Sequence, residues 1–504
     1  MKRSTDLYTL IVGRILVMLT SIISIRIVTT LFSPSEVGRL NIILSICWWF
    51  NLSLISGVGI YVIRRINEWY NEGRARRYII SFGVYRLIIA ILSLLVLIPI
   101  QYLFGVGITV KTEWLSMLVA GSILVTGCNT DFITYLNFLG HRLWFVFLSL
   151  LTLWLGLGIS VFFALKFSVS SEYWLGGQLI GQFMILLFAI VILFKFLKAS
   201  SDKILIRNNK DFTFQTIFRF AWPLSIGIFF YWCHTQGYRF IFQKIAGIEK
   251  LGLFAVGFGI GSSLMILFDI LFNQYFHPIF YSEIANSDNQ QKTISWNKYA
   301  SAFYPAIILM AIFIATNGSL IAKILTGEKF HQVGNIVIWG ALAESLRMMV
   351  ATTSIVSQAQ LETRPLIFPS ITGTVTAIIC VFMFARYSPF IGTGFALSFG
   401  WLVALIHVCI NMRKLLPIQI PWKRSSYSLV LSIPIIIFFT TTKNILGVPT
   451  TLQSLIVLGI SGLYLLLAQF ILARKWLALA VKLPVVDNFE QKIKTIYEKI
   501  IPNS

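Results

Sequence analysis

Residues 31–40 read LFSPSEVGRL, and residues 246–254 read AGIEKLGLF, which sets Gly252 214 positions after Gly38. An arginine precedes each glycine at nearly the same distance: Arg26 lies twelve residues before Gly38 and Arg239 thirteen before Gly252. At an offset of 213, Asp131 answers Glu344, and these charges were not used to choose the alignment. A repeat of about this period holds six membrane crossings. An even number of crossings returns the chain to its starting side, so both halves take the same orientation. The expectation is two six-helix lobes facing one another across a central cavity, with transport by rocking between them.

Composition points the same way. Of 504 residues, 57% are apolar, 15% aromatic and only 12% charged, and the mean hydropathy is +0.81. A globular domain carries about 25% charged residues, so this chain is read as an all-α polytopic membrane protein without a large soluble catalytic domain. Apolar runs bounded by charges, Gly and Pro give fourteen spans, near 8–32, 38–62, 79–104, 114–138, 143–165, 173–194, 217–243, 251–276, 299–322, 334–356, 365–385, 389–411, 426–441 and 452–473. The thirteenth is short and interrupted by Pro434, which leaves twelve spans plus a re-entrant or interfacial segment as the alternative. The amino terminus has no small-x-small cleavage site and reads as a retained first helix. The expected parts are an N-lobe with its cytoplasmic linker (1–213), a C-lobe (214–412), spans 13 and 14 (413–475) and a cytoplasmic amphipathic tail (476–504).

The net charge of +22 comes from 41 Lys and Arg against 19 Asp and Glu. With both termini placed in the cytoplasm, 27 of the 41 fall in cytoplasmic segments, 9 in exterior loops and five inside spans. That is a positive-inside distribution. It assigns clusters such as Arg64, Arg65, Arg74, Arg76 and Arg77, or Lys195, Lys198, Lys203, Arg207, Lys210 and Arg219, to topology and anionic headgroups. No soluble basic face is interleaved with exposed aromatics, so no nucleic-acid partner is expected. The cysteines and histidines lack metal-ligand spacing, which predicts no metal and no cofactor. VGFGIG (256–261) falls inside span 8, where Gly257 and Gly261 read as a helix-packing pair, like Gly177 and Gly181 in span 6. No catalytic residue is assigned. Trp48, Trp49 and Phe50 read as packing or lipid contact, with sugar stacking as the alternative.

Intramembrane charges remain. Each costs at least about 2.5–3.5 kcal/mol at the bilayer centre, so each is a functional candidate. Arg14, Arg26, Arg86 and Arg239 are assigned to a substrate cavity, because a guanidinium fork binds phosphate oxygens in pairs. Glu344 and Arg347, at i, i+3 near the middle of span 10, are assigned with Asp131 and Asp269 to ion coupling or gating. Five arginines against three acids leave the interior positive, which suits an anionic substrate.

LFSPSEVGRL, SGVGIYVIRR (56–65), RFAWPLSIG (219–227), IAGIEKLGLF (245–254), SQAQLETRP (357–365) and FIGTGFALS (390–398) resemble, in this order, stretches of the polysaccharide-exporter branch of the MOP superfamily, which includes the bacterial O-antigen flippases. The likeness covers roughly residues 8–411. Val37 stands where that family usually has an aromatic, and Gly237-Tyr238-Arg239 where many members place an acid before the arginine. The resemblance implies a flippase in the bacterial inner membrane that moves an undecaprenyl-diphosphate-linked oligosaccharide, an O-antigen or similar unit, from the cytoplasmic to the periplasmic leaflet. Its partners would be that glycan, membrane lipids and polysaccharide polymerase or ligase proteins. The competing expectations are a drug or metabolite antiporter of the same fold and a membrane polysaccharide polymerase.

Overall fold

The computed structural model describes residues 2–104, 111–200, 214–284, 287–360, 362, 364–447 and 450–480. Lys203, Arg207, Lys210 and the tail expected to form an amphipathic helix beyond 480 lie outside the described residues. Among the described residues every regular element is helical. The first half comprises α1 (Lys2–Leu31), α2 (Pro34–Trp49), α3 (Ser56–Asn71), α4 (Ala75–Phe104), α5 (Thr112–Gly121), α6 (Gly127–Phe138), α7 (Arg142–Lys166) and α8 (Ser171–Ser200). The second comprises α9 (Phe214–Trp232), α10 (Tyr238–Ala246), α11 (Ile248–Ile284), α12 (Asn289–Thr316), α13 (Gly318–Leu325), α14 (Gly334–Ala359), α15 (Ile367–Phe384) and α16 (Pro389–Leu415), followed by α17 (Trp422–Leu446) and α18 (Thr451–Ala480). Three spans are interrupted by a π-helical turn: Phe50–Ile55 joins α2 to α3, Ser122–Thr126 joins α5 to α6, and Cys233–Gly237 joins α9 to α10.

Twelve of these rods are long and apolar enough to cross a bilayer, and the bent pair Gln215–Trp222 and Leu224–Ala246 makes a thirteenth. The apolar helix Ile15–Leu31 within α1 occupies the remaining expected position. Pro434 does not divide α17, which runs unbroken for 25 residues. Proline leaves the carbonyl four residues back without its helical donor. One residue along from that carbonyl, Leu431 O accepts a hydrogen bond of 3.0 Å from the Tyr464 hydroxyl of α18, the kind of neighbouring-helix repair that makes proline tolerable in a membrane span.

The hairpin that opens each half is built locally. Ser33 caps α2 by accepting the Glu36 N–H, with Pro34 at the first helical position. Gly247, at φ +89°, reverses the chain between α10 and α11 in a single residue. The two hairpins meet. A Cβ on Gly252 would lie 1.8 Å from Pro34 O, and one on Gly38 would lie 2.1 Å from Ile248 O. The repeat-related glycines therefore form the crossing of α2 and α11, backbone against backbone, between the two six-helix lobes.

Within the N-lobe α8 packs on α6 and α7, α7 on α1, and α4 on α5; within the C-lobe α14 is packed by α11, α12 and α16, and α15 lies on α16 and α9. Gly177 and Gly181 sit against Ser160 and Gly156 of α7, and Gly257 and Gly261 against Val333, Ile336 and Val337. Both pairs are close helix contacts. The seam between lobes is uneven. The span formed by α2 and α3 lies along both α11 and α9, whereas α1 meets the C-lobe chiefly at α13 and the turn after it. Helices α17 and α18 pack on α12 and α13 of the C-lobe.

Candidate functional site

In the N-lobe, Arg86 of α4 reaches into the bundle between two π-helical turns. Its Nε donates to Asp131 Oδ2 at 2.7 Å, and its Nη1 donates to Asn51 Oδ1 at 3.2 Å and to Ile123 O at 3.3 Å. Asn51 belongs to one π-helical turn and Ile123 to the other. Such turns offset the regular i to i−4 ladder and so present carbonyls and side chains to a neighbour. Gly127 completes the seat, because a Cβ there would fall 2.1 Å from Arg86 Nη1. Both side chains of the ion pair are largely buried, at 7% and 15% exposure. The pair borders a cavity of about 220 Å³ whose wall includes Trp48, Asn51, Thr126, Gln178 and Gln182. Thr126 Oγ1 donates to Gln182 Oε1 at 2.5 Å.

The C-lobe holds a second cluster. Arg347 Nε donates to Glu344 Oε1 at 2.6 Å on the same helix, and its Nη2 donates to Asp269 Oδ2 of α11 at 3.2 Å. Asp269 Oδ1 accepts from Asn273 Nδ2 at 2.6 Å, and Asn273 Oδ1 accepts from the Tyr299 hydroxyl of α12 at 2.6 Å. One guanidinium thus serves two carboxylates, and the Asn273 amide, itself held by Tyr299, satisfies the remaining oxygen of Asp269. This arrangement makes a buried charge cluster tolerable, since an unpartnered member would carry a desolvation penalty of several kcal/mol.

Arg26 and Arg239 occupy neither lobe's interior. Both lie in the seam, and each reaches into the opposite lobe. Arg26, on α1, donates through Nη1 to Lys323 O at 3.1 Å, Ile324 O at 3.2 Å and Thr326 O, so it caps the carboxyl end of α13. Beside it Thr29 Oγ1 accepts the Gly327 N–H at 2.9 Å. Arg239, on α10, donates to Ser45 Oγ at 3.1 Å and to Asn41 O at 3.3 Å, both on α2. Its Nε is buried without a hydrogen-bond partner among the described residues. Trp232 Nε1 donates to Ser45 O at 2.9 Å and braces the same contact. The acceptors of both arginines are neutral.

Thus the structure joins Arg86 to Asp131 and Arg347 to Glu344 and Asp269, and places Arg26 and Arg239 apart from both clusters. Arg14 lies in α1, and its side chain is outside the described residues. Neutral participants are absent from a reading based on charge: Asn51, Gln178 and Gln182 in the N-lobe, and Asn273 and Tyr299 in the C-lobe. One signal was available for Asn273, which stands one helical turn from Asp269 on the same face.

No protein-family model matches the sequence, and no curated protein matches it. Solved structures do. A lipid II flippase, MurJ, in an inward closed conformation superposes with a TM-score of 0.66 at 16% identity, covering 94% of this chain and 99% of that one. A multidrug-resistance MATE transporter of the MOP superfamily, inward-facing, gives 0.53 at 14% identity over 80% of this chain and 95% of its own. A MOP superfamily transporter from Pyrococcus furiosus, described as having a binding pocket of reversed polarity, gives 0.55 at 16% identity over 81% and 96%. The chain has the fold of these solved structures and consists of two six-helix lobes with two further helices, α17 and α18.

Proposed function

We propose that this MOP-fold chain is a flippase that carries an undecaprenyl-diphosphate-linked oligosaccharide, an O-antigen or similar surface-polysaccharide unit, from the cytoplasmic to the periplasmic leaflet of a bacterial inner membrane. The observation that carries the reading is the pair of seam arginines, Arg26 and Arg239, each holding neutral acceptors of the other lobe. A diphosphate competes well for such groups, because charge-assisted hydrogen bonds are roughly twice as strong as neutral ones. Opening the seam releases two guanidinium groups that anionic oxygens can hold, and closing it returns them to carbonyls and a hydroxyl. The acids in the two lobes already hold Arg86 and Arg347, so they do not neutralise the seam.

With both termini in the cytoplasm, the placement the positive-inside distribution favours, the α3–α4 connection would be cytoplasmic and the glycine crossing periplasmic. Substrate would enter while the glycine crossing is closed and leave when it parts. A lateral opening along α1, which meets the C-lobe chiefly at α13 and the turn after it, would let the polyprenyl tail remain in lipid while the head group crosses. The likeness to a lipid II flippase over nearly all of both chains supports a lipid-linked cargo over a free drug. Asp131, Asp269 and Glu344 with Arg347 would couple the cycle to an ion gradient, and Arg14 and Arg86 would contribute to the cationic cavity.

The test is surface glycan in cells lacking the chain and complemented with Arg26→Ala or Arg239→Ala. Both variants should insert normally and fail to restore the glycan, and Arg239→Lys should restore it only in part. Full surface glycan with both alanine variants would overturn the assignment. A drug-resistance phenotype on overexpression without glycan export would support the antiporter reading.

A further inference from the structure

We propose that the C-lobe contains a proton path joining the Asp269, Arg347 and Glu344 cluster to the α11–α12 end of the bundle. The path follows from residue spacing on α11. Asp269, Asn273, His277 and Tyr281 recur every four residues, each beside the next, and form a polar ridge that winds about 120° around the helix. At 1.5 Å per residue the ridge is about 18 Å long, roughly half of a hydrocarbon core of about 30 Å.

Hydrogen bonds link the cluster to Tyr299, and ring proximity links Tyr299 to His277. Arg347 binds Asp269, Asn273 binds Asp269 at 2.6 Å, and the Tyr299 hydroxyl binds Asn273 at 2.6 Å. The His277 ring lies 5.9 Å, between centroids, from both Tyr299 and Tyr281. His277 Nε2 is buried and has no hydrogen-bond partner among the described residues. Such an orphaned imidazole nitrogen calls for an occupant. At the mouth, Tyr281 donates to Gln358 Oε1 of α14 at 2.6 Å, where the pair is exposed, and Lys298 pairs with Glu283 at 3.0 Å. The titratable groups facing His277 are Asp269 and Tyr281 on its own helix and Tyr299 from α12; α14 contributes the neutral Gln358 at the mouth.

In the other direction the cluster is closed. α11 and α14 approach through Gly257, Gly261 and Gly340, where an added Cβ would meet Val333 O at 2.8 Å, Val337 O at 2.2 Å and Phe258 O at 2.0 Å. Met265, Val337 and Ala341 fill the remaining space and are fully buried. Ser262 Oγ there donates to carbonyls of its own helix. No polar chain fits through such a contact.

The chemistry is a proton relay. With Nδ1 carrying the hydrogen of the neutral ring, a proton from hydronium at the Tyr281 mouth bonds to the Nε2 lone pair and gives imidazolium. Water between the ring and Asp269 would complete the relay: it takes the Nε2 proton, restoring neutral imidazole, and gives up a proton of its own, which forms O–H on an Asp269 carboxylate oxygen. Arg347 is then left with Glu344 alone as its charged partner. The path lies inside the C-lobe rather than in the seam, so the cluster can exchange protons while the seam is occupied. The inference rests on the flippase reading only in naming the proton as the coupling ion.

The experiment is time-resolved infrared spectroscopy of the purified full-length chain in liposomes, inserted in one orientation, after a pH jump applied to either side. Asp269→Asn and Glu344→Gln identify the carboxyl signals. A jump on the Tyr281 side should protonate the cluster; in His277→Gln and His277→Phe the rise should slow about tenfold or more with its final amplitude unchanged. Loss of a merely structural histidine would change the amplitude or the folded yield, not the rate alone. The path is overturned by rates within about twofold of wild type in both variants, or by equal response to a jump on either side. The readout needs no lipid substrate, so a histidine-dependent rate in a chain that moves no glycan would remove the flippase assignment and leave the path standing.

Discussion

Gly252→Ala should shift the balance of lobe conformations away from the closed seam. An added methyl carbon would stand 1.8 Å from Pro34 O, 2.8 Å from Pro34 C and 2.9 Å from Gly38 N. Ordinary van der Waals contact begins at 3.4 Å, so α11 must retreat from α2 by about 1.5 Å. All three obstacles are backbone, and no rotamer change relieves them. Overpacking of this kind costs about 1–3 kcal/mol, which moves a two-state equilibrium by about 5- to 150-fold. Gly38→Ala meets Ile248 O at 2.1 Å and should act in the same direction. Because the two changes strain one contact, the double variant should fall short of the sum. The assay is the distance distribution between spin labels at Ser168 and Lys329, on opposite lobes, in a chain whose five native cysteines are replaced. Gly261→Ala is the control: its Cβ would meet Val337 O at 2.2 Å within one lobe, so it should lower thermal stability and leave the interlobe distance alone. Unchanged distributions in Gly252→Ala and Gly38→Ala would refute the view that this crossing is a closure and make it fixed scaffold.

Three further outcomes follow from named contacts. Asp131→Asn leaves Arg86 buried without its carboxylate and should cost about 3–5 kcal/mol, read as thermal melting in detergent, while adding Arg86→Gln should recover most of the loss. Gly127→Ala should displace Arg86 Nη1 from Asn51 and Ile123 at a cost of about 1–3 kcal/mol, and it should cost nothing further in an Arg86→Gln background. Tyr464→Phe removes the hydrogen bond to Leu431 O beside the proline in α17 and should lower stability by about 0.5–1.5 kcal/mol, measured by the same melting assay, without changing glycan export.

The fold was legible because hydrophobic run length and an offset of 213 or 214 residues are properties of the sequence itself. Gly38 and Gly252 align in the repeat, and the structure brings them into contact with each other, as equivalent residues beside a pseudo-two-fold axis would be. Pro434 misled in one respect, since a break in one helix can be mended by a hydroxyl on another, Tyr464, whose proximity no local pattern records. Charges were equally easy to find, and their partners were not. Arg86 and Asp131 are 45 residues apart and on different helices, whereas Glu344 finds its arginine three residues away on its own helix. The repeat therefore carries acids at equivalent positions without carrying their partners. Arg26 and Arg239 were also legible as a pair, but their acceptors are mostly backbone carbonyls, which every residue possesses and which no spacing can single out.

Helices α17 and α18 attach to α12 and α13, so the two halves of a symmetric repeat differ in the mass they carry through the bilayer. If the lobes rock as rigid bodies, eight spans would turn as one and six as the other. Viscous drag from lipid rises with the perimeter of a moving body, and equal and opposite torques at the seam must then rotate the smaller one further. Measured against the membrane normal, the six-helix body should accordingly tilt more during the cycle than the eight-helix body, which would act as the stator.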